Sequence, residues 1–122
     1  MITGVVTADQ EAVVHLLVRG PQQHEVELEA IIDTGYTGAL TLPQHVIEAL
    51  GLPFRGYGRA LLADGSERLF ASYEAIVEWD GQLRRMMVDA AEADPLLGMT
   101  LLQGDELTMQ VITGGSVTIQ AL

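Results

Sequence analysis

The sequence of 122 residues predicts an all-β domain with one or two short helices, because its pattern favours short strands separated by turns. Apolar and polar residues alternate in segments such as His24–Ile32, where glutamates occupy every second position. The dipeptides Asp64-Gly65 and Asp80-Gly81 separate further segments of this kind, and Asp-Gly is a strong hairpin-turn signal. At 13.1 kDa the chain is long enough for one core. We therefore expect a single domain over residues 1–122, built on a closed or curled antiparallel sheet.

The first predicted element is an antiparallel hairpin that ends at an aspartate. Its strands are Val13–Val18 and His24–Ile32, and the Gly20-Pro21 pair between them is typical of a turn. The second strand leads directly into Asp33. The sequence therefore predicts that this carboxylate lies at the end of a strand.

A helix and two further hairpins are predicted after this aspartate. The segment Pro43–Leu50 begins with proline and is followed by Gly51, which predicts a helix of about two turns. Pro95–Leu102 is predicted to be a loop that enters a second short helix. The remaining predicted strands are Ala39–Thr41, Arg59–Leu62, Glu67–Ala71, Tyr73–Trp79, Leu83–Ala90, Leu107–Ile112 and Val117–Ile119.

Composition excludes several classes of function. The net charge of −11, from 17 acidic residues against 6 arginines, would repel a phosphate backbone, so no nucleic-acid partner is expected. The absence of cysteine leaves no thiolate ligand or nucleophile. The N-terminus lacks the pattern of a signal peptide, and no apolar run approaches the roughly 20 residues of a membrane helix. We expect a soluble protein without a membrane partner, with the cytoplasm as its default location.

The most informative segment is Ile31-Ile32-Asp33-Thr34-Gly35, in which an apolar strand runs into an Asp-Thr-Gly turn. A second apolar pair, Leu96-Leu97, precedes Gly98 and is followed by Leu101-Leu102. Between these two segments, a hairpin is predicted around Ala63–Ser66. Together, in this order, the three features resemble the retropepsin-like aspartic proteases, and in particular the small stand-alone bacterial members.

The resemblance covers nearly the whole chain and implies a retropepsin-like barrel with one lobe per chain. It implies that Asp33 is the catalytic residue and that Thr34, Gly35 and Gly98 support it, with Gly98 in the loop packed beneath the carboxylate. The implied flap, which would close over an extended peptide, has at its tip Leu62, Ala63, Asp64, Gly65 and Ser66. No metal and no cofactor is implied.

The chemistry of such a site requires two carboxylates. One carboxylate takes a proton from the attacking water while the other protonates the carbonyl oxygen, and two adjacent aspartates share one proton because both cannot ionise cheaply. Asp-Thr-Gly occurs once in the chain, and neither Ala63-Asp64-Gly65 nor Trp79-Asp80-Gly81 has the hydroxyl residue of a second active turn. We therefore expect a homodimer in which two copies of Asp33 meet on a two-fold axis.

Tyr36 departs from the pattern of many family members, which have alanine or serine after the triplet. A ring at this position would either desolvate Asp33 and raise the pKa of the pair, or occlude the cleft. The alternative to an aspartic endopeptidase is therefore a weak or inactive relative that keeps the dimer as a peptide-binding or assembly module.

Rival sites are less well supported by the sequence. His15, His24 and His45 are spread over two strands and a helix, without the spacing of a metal site. Ser66 lacks the surrounding motif of a nucleophile elbow. Trp79 is expected in the core, as are four methionines, Met86, Met87, Met99 and Met109.

Overall fold

Ten strands and two short helices make up the chain, and the computed structural model describes all of residues 1–122. The strands are β1 (Ile2–Val6), β2 (Ala12–Arg19), β3 (Glu25–Ile32), β4 (Leu40–Leu42), β5 (Phe54–Leu61), β6 (Glu67–Trp79), β7 (Gln82–Ala90), β8 (Leu96–Leu97), β9 (Asp105–Met109) and β10 (Ser116–Ala121). The helices are α1 (Gln44–Leu50) and α2 (Met99–Leu102). The prediction of an all-β fold with short helices is confirmed.

All the strands belong to one sheet, which closes on itself. The strand order is β5-β6-β7-β4-β8-β3-β2-β1-β10-β9, and an additional pairing joins β6 to β2. This pairing closes the strands from β6 to β2 into a barrel. Strand β5 extends from one side of the barrel, while β1, β10 and β9 extend from the other.

The hairpins form where the turn residues predict them. Strands β2 and β3 pair in antiparallel register from Val13↔Ile31 to Arg19↔Glu25, around the Gly20-Pro21 turn. Gly51 ends α1 in the left-handed conformation, with φ of 63°, as its position after Leu50 predicts. The local patterns therefore place the elements around Asp33 correctly.

Three features of the sheet differ from the prediction. Strand β1 is absent from the predicted set because five residues near the N-terminus carry little alternation of their own. Strand β6 is a single element of 13 residues shared by two hairpins, where the sequence predicts two strands. Two short pairings are parallel, β3 with β8 and β4 with β7, in a sheet predicted to be antiparallel. These pairings depend on contacts between segments that are distant in the sequence.

The core fills the inside of the barrel and surrounds the single tryptophan. Trp79 is 1% exposed, and its indole N–H donates to a carboxylate oxygen of Asp105 at 3.1 Å. Met86 and Met109 pack against this core as expected, but the prediction is wrong for Met87 and Met99, which are 43% and 47% exposed. Neither helix is long and apolar enough to cross a bilayer.

Candidate active site

Asp33 lies immediately beyond the end of β3, in a turn held by its own carboxylate. Its backbone N–H donates to the carbonyl oxygen of Leu97 at 2.9 Å, which continues the β3–β8 pairing by one residue. Its Oδ1 accepts the backbone N–H of Gly35 at 2.9 Å. The side chain is half-buried, and Thr34 and Gly35 are exposed. The turn therefore presents the carboxylate to solvent in one defined orientation.

Gly98 lies directly beneath the loop that follows Asp33. Its N–H donates to the carbonyl oxygen of Ala39 at 2.9 Å, and the next N–H, of Met99, donates to the carbonyl oxygen of Tyr36 at 2.9 Å. A Cβ atom at Gly98 would overlap the Gly38 carbonyl oxygen and the Tyr36 ring. The loop can approach this closely only because residue 98 has no side chain.

Tyr36 points to a different carboxylate. Its ring packs over Gly38 and Gly98, and its hydroxyl donates to Oδ2 of Asp89, near the end of β7. Burial, followed by the hydrogen bond to Asp89 and its negative charge, raises the pKa of the Tyr36 hydroxyl far above its ordinary value. The hydroxyl therefore remains a protonated donor. The sequence predicts a ring beside Asp33, and no signal in it predicts the hydrogen bond to Asp89.

Asp89 also accepts a hydrogen bond from β6, one of the two strands of the hairpin predicted as the flap. The hydroxyl of Ser72, on β6, donates to Oδ1 of Asp89 at 2.8 Å. Each oxygen of this half-buried carboxylate thus accepts a hydrogen bond from a hydroxyl group. Ser72 and Asp89 are directly opposite each other in the β6–β7 register, but no motif marks either residue in the sequence.

The predicted flap is the hairpin of β5 and β6. A cavity of about 860 Å³ lies between this hairpin and the Asp33 loop, lined by Gly35 and Tyr36 on one side and by Ala60, Leu61 and Phe70 on the other. A second cavity, of about 520 Å³, lies on the other side of Tyr36 and Asp89. The hairpin therefore overhangs the loop, leaving a groove between them.

The predicted site residues fall into two groups. Asp33, Thr34, Gly35 and Gly98 are brought together around one loop. The second group, Leu62, Ala63, Asp64, Gly65 and Ser66, forms the exposed tip of the hairpin and lines neither of the two cavities.

The three histidines lie apart from this loop and from one another. His15, on β2, faces two carboxylates of β3, with Nδ1 3.6 Å from Glu27 and Nε2 3.5 Å from Glu29. His24 lies in the β2–β3 turn and His45 in α1, and both are exposed. The structure thus places the histidines on the outer surface.

Comparison with known proteins bears on the fold. No protein-family model matches the sequence, and no curated protein matches it. Among solved structures, the chain is similar to the crystal structure of a retropepsin-like aspartic protease from Rickettsia conorii, with a TM-score of 0.63. The match covers 99% of this chain and 90% of that chain, at 17% sequence identity. The chain has the retropepsin-like fold. At this identity the likeness concerns the fold alone.

Proposed function

We propose that the chain is a homodimeric aspartic endopeptidase that hydrolyses peptide bonds with Asp33 as its catalytic residue. The observation that carries the proposal is the geometry of the Asp33 turn. On a retropepsin-like fold, the turn presents one oriented carboxylate beside a groove, and Gly98 allows a second loop to pack beneath it. The groove lies between the loop and the flap hairpin, where an extended peptide could pair with the edge of the hairpin.

In this proposal, water is activated between two Asp33 carboxylates. One carboxylate accepts the proton of the attacking water, and the other, protonated, donates to the carbonyl oxygen of the peptide bond. The pair shares one proton because two negative charges a few ångströms apart repel each other.

The second carboxylate has to come from another chain. Asp89 is the carboxylate that lines the groove, and its two oxygens already accept hydrogen bonds from the hydroxyls of Tyr36 and Ser72. A symmetric dimer supplies an equivalent Asp33 without any additional motif. Thr34 is exposed next to Asp33, where its hydroxyl is free to reach the loop of the partner.

The end of the sheet that carries Asp33 has the surface that such a dimer needs. Across neighbouring strands, Ile31 pairs with Val13, Val13 with Val5, and Val5 with Ser116. Ser116 directly follows the β9–β10 loop, so this loop lies at the same end of the sheet as Asp33. Large apolar side chains are exposed there, namely Val5 (42%), Met99 (47%), Val111 (65%) and Ile112 (67%). Covering these side chains with a second copy would remove apolar surface from water.

Cleavage of a diverse peptide mixture between about pH 4 and pH 7 tests the catalytic assignment. We expect the wild-type chain to cleave peptides and Asp33→Asn to lose at least about 10³-fold in kcat, because the amide can neither accept nor share the proton. Products identified by mass spectrometry measure the loss. Cleavage that survives Asp33→Asn would contradict the assignment, and a dimer that cleaves nothing would favour a peptide-binding or assembly module.

The dimer surface has a test of its own. We expect Ile112→Glu to weaken dimerisation at least tenfold, because it places a charge on the apolar end of the sheet and adds to the net charge of −11. Leu83→Glu is the matched control, since Leu83 is 58% exposed beside the Asp80-Gly81 turn, away from that end. Sedimentation over a range of concentrations measures both. A wild-type chain that stays monomeric throughout would contradict the dimer.

A further inference from the structure

Backbone hydrogen bonds hold the loop that follows Asp33 to the segment that begins at Gly98. The N–H groups of Gly98 and Met99 donate to the carbonyl oxygens of Ala39 and Tyr36, and the N–H of Thr100 donates to the carbonyl oxygen of Gly38 at 3.1 Å. These bonds hold the loop from below. They do not determine how far the loop lies from the flap hairpin, which is on another part of the sheet.

A bridge of three side chains connects the loop to the base of the flap hairpin. Tyr36 leaves the loop and donates to Oδ2 of Asp89, while Ser72 donates to Oδ1 of the same carboxylate at 2.8 Å. Ser72 belongs to β6 and lies opposite Gly56 of β5, where the two strands of the flap hairpin leave the barrel. The loop, β7 and the base of the flap therefore meet at one carboxylate.

The bridge crosses the groove in which a substrate would lie. Tyr36 and Asp89 line both the cavity of about 860 Å³ and the cavity of about 520 Å³, and Phe70 of the flap hairpin lines both cavities as well. A change in the bridge would therefore change the distance between the loop and the flap, on both sides of the pair.

We propose that Asp89 is a positioning residue, which holds the Asp33 loop at a defined distance from the flap through Tyr36 and Ser72. The inference rests on the proposed function, because its effect on rate acts through Asp33. A peptide held between flap and loop must place its scissile carbonyl within contact distance of the carboxylate pair. Misplacement by as little as an ångström lowers the rate without removing the contacts that bind the peptide.

Substitutions that keep the size of the side chain test the hydrogen bonds of the bridge without removing its packing. Tyr36→Phe keeps the ring over Gly98 and loses the hydroxyl, which donates to Asp89 and lies 3.4 Å from the carbonyl oxygen of Leu40. Asp89→Asn removes the charge of the acceptor. For the fastest-cleaved peptide of the mixture, we expect each variant to lower kcat about tenfold and to leave KM within about twofold. Glu48→Gln is the matched control, because it replaces a carboxylate by an amide at an exposed position of α1, and we expect wild-type kinetics.

The double variant distinguishes a shared bridge from two separate effects. Tyr36→Phe removes the donor of the Tyr36–Asp89 bond, and Asp89→Asn leaves one amide oxygen that can accept only one of the two hydroxyls. Because both variants act on this bond, we expect the combined loss in kcat to match that of Asp89→Asn alone within about threefold. Ser72→Ala breaks the other half of the bridge, so a smaller loss in kcat is expected, which Ser72→Thr should restore. Losses that multiply, or an unchanged kcat in Tyr36→Phe, would overturn the proposal.

Amide hydrogen exchange provides a readout that does not need activity. We expect the N–H of residue 36, which donates to the carbonyl oxygen of Asp33 at 3.1 Å, to exchange about tenfold faster in Tyr36→Phe and in Asp89→Asn than in Glu48→Gln. Equal exchange in all three would overturn the bridge even if the protein cleaves peptides. Faster exchange in a protein that cleaves nothing would support the bridge and contradict only the endopeptidase.

Discussion

Two aspartate turns of this chain each contain the same kind of hydrogen bond, but their surroundings differ. The carboxylate of Asp33 accepts a hydrogen bond from the backbone N–H of Gly35 at 2.9 Å. In the same way, the carboxylate of Asp64 accepts one from the backbone N–H of Ser66 at 2.9 Å. This local turn is one that aspartate forms readily in many proteins. The turn by itself therefore does not make a carboxylate a candidate for catalysis.

The surroundings make the difference. The first turn is bonded to Leu97 below it and is followed by a loop that packs on Gly98. The second turn is held only within its own hairpin, where Leu62 N–H donates to the carbonyl oxygen of Ser66 at 2.8 Å, and residues 61–69 are all exposed. The Asp33 turn is therefore held by tertiary contacts, whereas the tip of the predicted flap is held by local bonds.

Alanine substitution at one glycine of each region should show the largest difference between the two turns, in the free energy of unfolding. We expect Gly98→Ala to lower the free energy of unfolding by about 3 kcal/mol, because its Cβ would overlap backbone atoms that cannot move aside cheaply. Gly65→Ala should cost about 1 kcal/mol, because its φ of 85° is unfavourable for alanine but the space around it is open. Urea unfolding measures both. Equal costs would show that the two turns are equally constrained.

Hydrogen exchange should separate the two equivalent amides. The N–H groups of Gly35 and Ser66 make the same bond at the same length, yet we expect Gly35 to be protected about 100-fold more strongly. The flap tip can open by itself, while the Asp33 turn opens only with its contacts to Leu97. Exchange measured by NMR on the wild-type chain decides this. Similar protection at both amides would contradict a locally held flap tip.

Acid should loosen the flap tip by a smaller amount. The hydroxyl and the N–H of Ser66 both donate to Asp64 and hold the pKa of this carboxyl below its ordinary value. Because this pKa is lowered by folding, the two hydrogen bonds stabilise the folded protein fully when the pH is above the pKa that Asp64 has in the unfolded chain. The stabilisation is lost in acid, as the pH falls through the lowered pKa of Asp64 in the folded protein. In Ser66→Ala the pKa of Asp64, followed by NMR, should rise toward the ordinary value.

The sequence predicted the elements that depend on neighbouring residues. The β2–β3 hairpin, the end of α1 at Gly51 and the turns at Asp64-Gly65 and Asp80-Gly81 follow from residue types that favour particular backbone conformations. The family resemblance added the position of Gly98, whose role could not be derived from composition. Strand β1 was missed because it owes its conformation to β2 and β10, which pair with it on either side.

The bridge around Tyr36 could not be predicted in the same way. Tyr36 and Asp89 are 53 positions apart, and a tyrosine after a turn has many possible partners. The register that places Ser72 opposite Asp89 depends on the length of β6, which the sequence divides into two segments. Only the folded chain shows that the ring turns toward β7 and that its hydroxyl does not bond to Asp33.

The sequence by itself determined an all-β chain with an aspartate at the end of a strand, because alternation and turn chemistry are local properties. Tertiary contacts select the aspartate turn that is followed by a loop packed on Gly98, and they select Asp89 as the carboxylate that accepts the tyrosine hydroxyl. Those outcomes depend on closing a barrel, in which segments distant in sequence come within hydrogen-bonding distance and the small volume of one residue sets how closely two loops can approach.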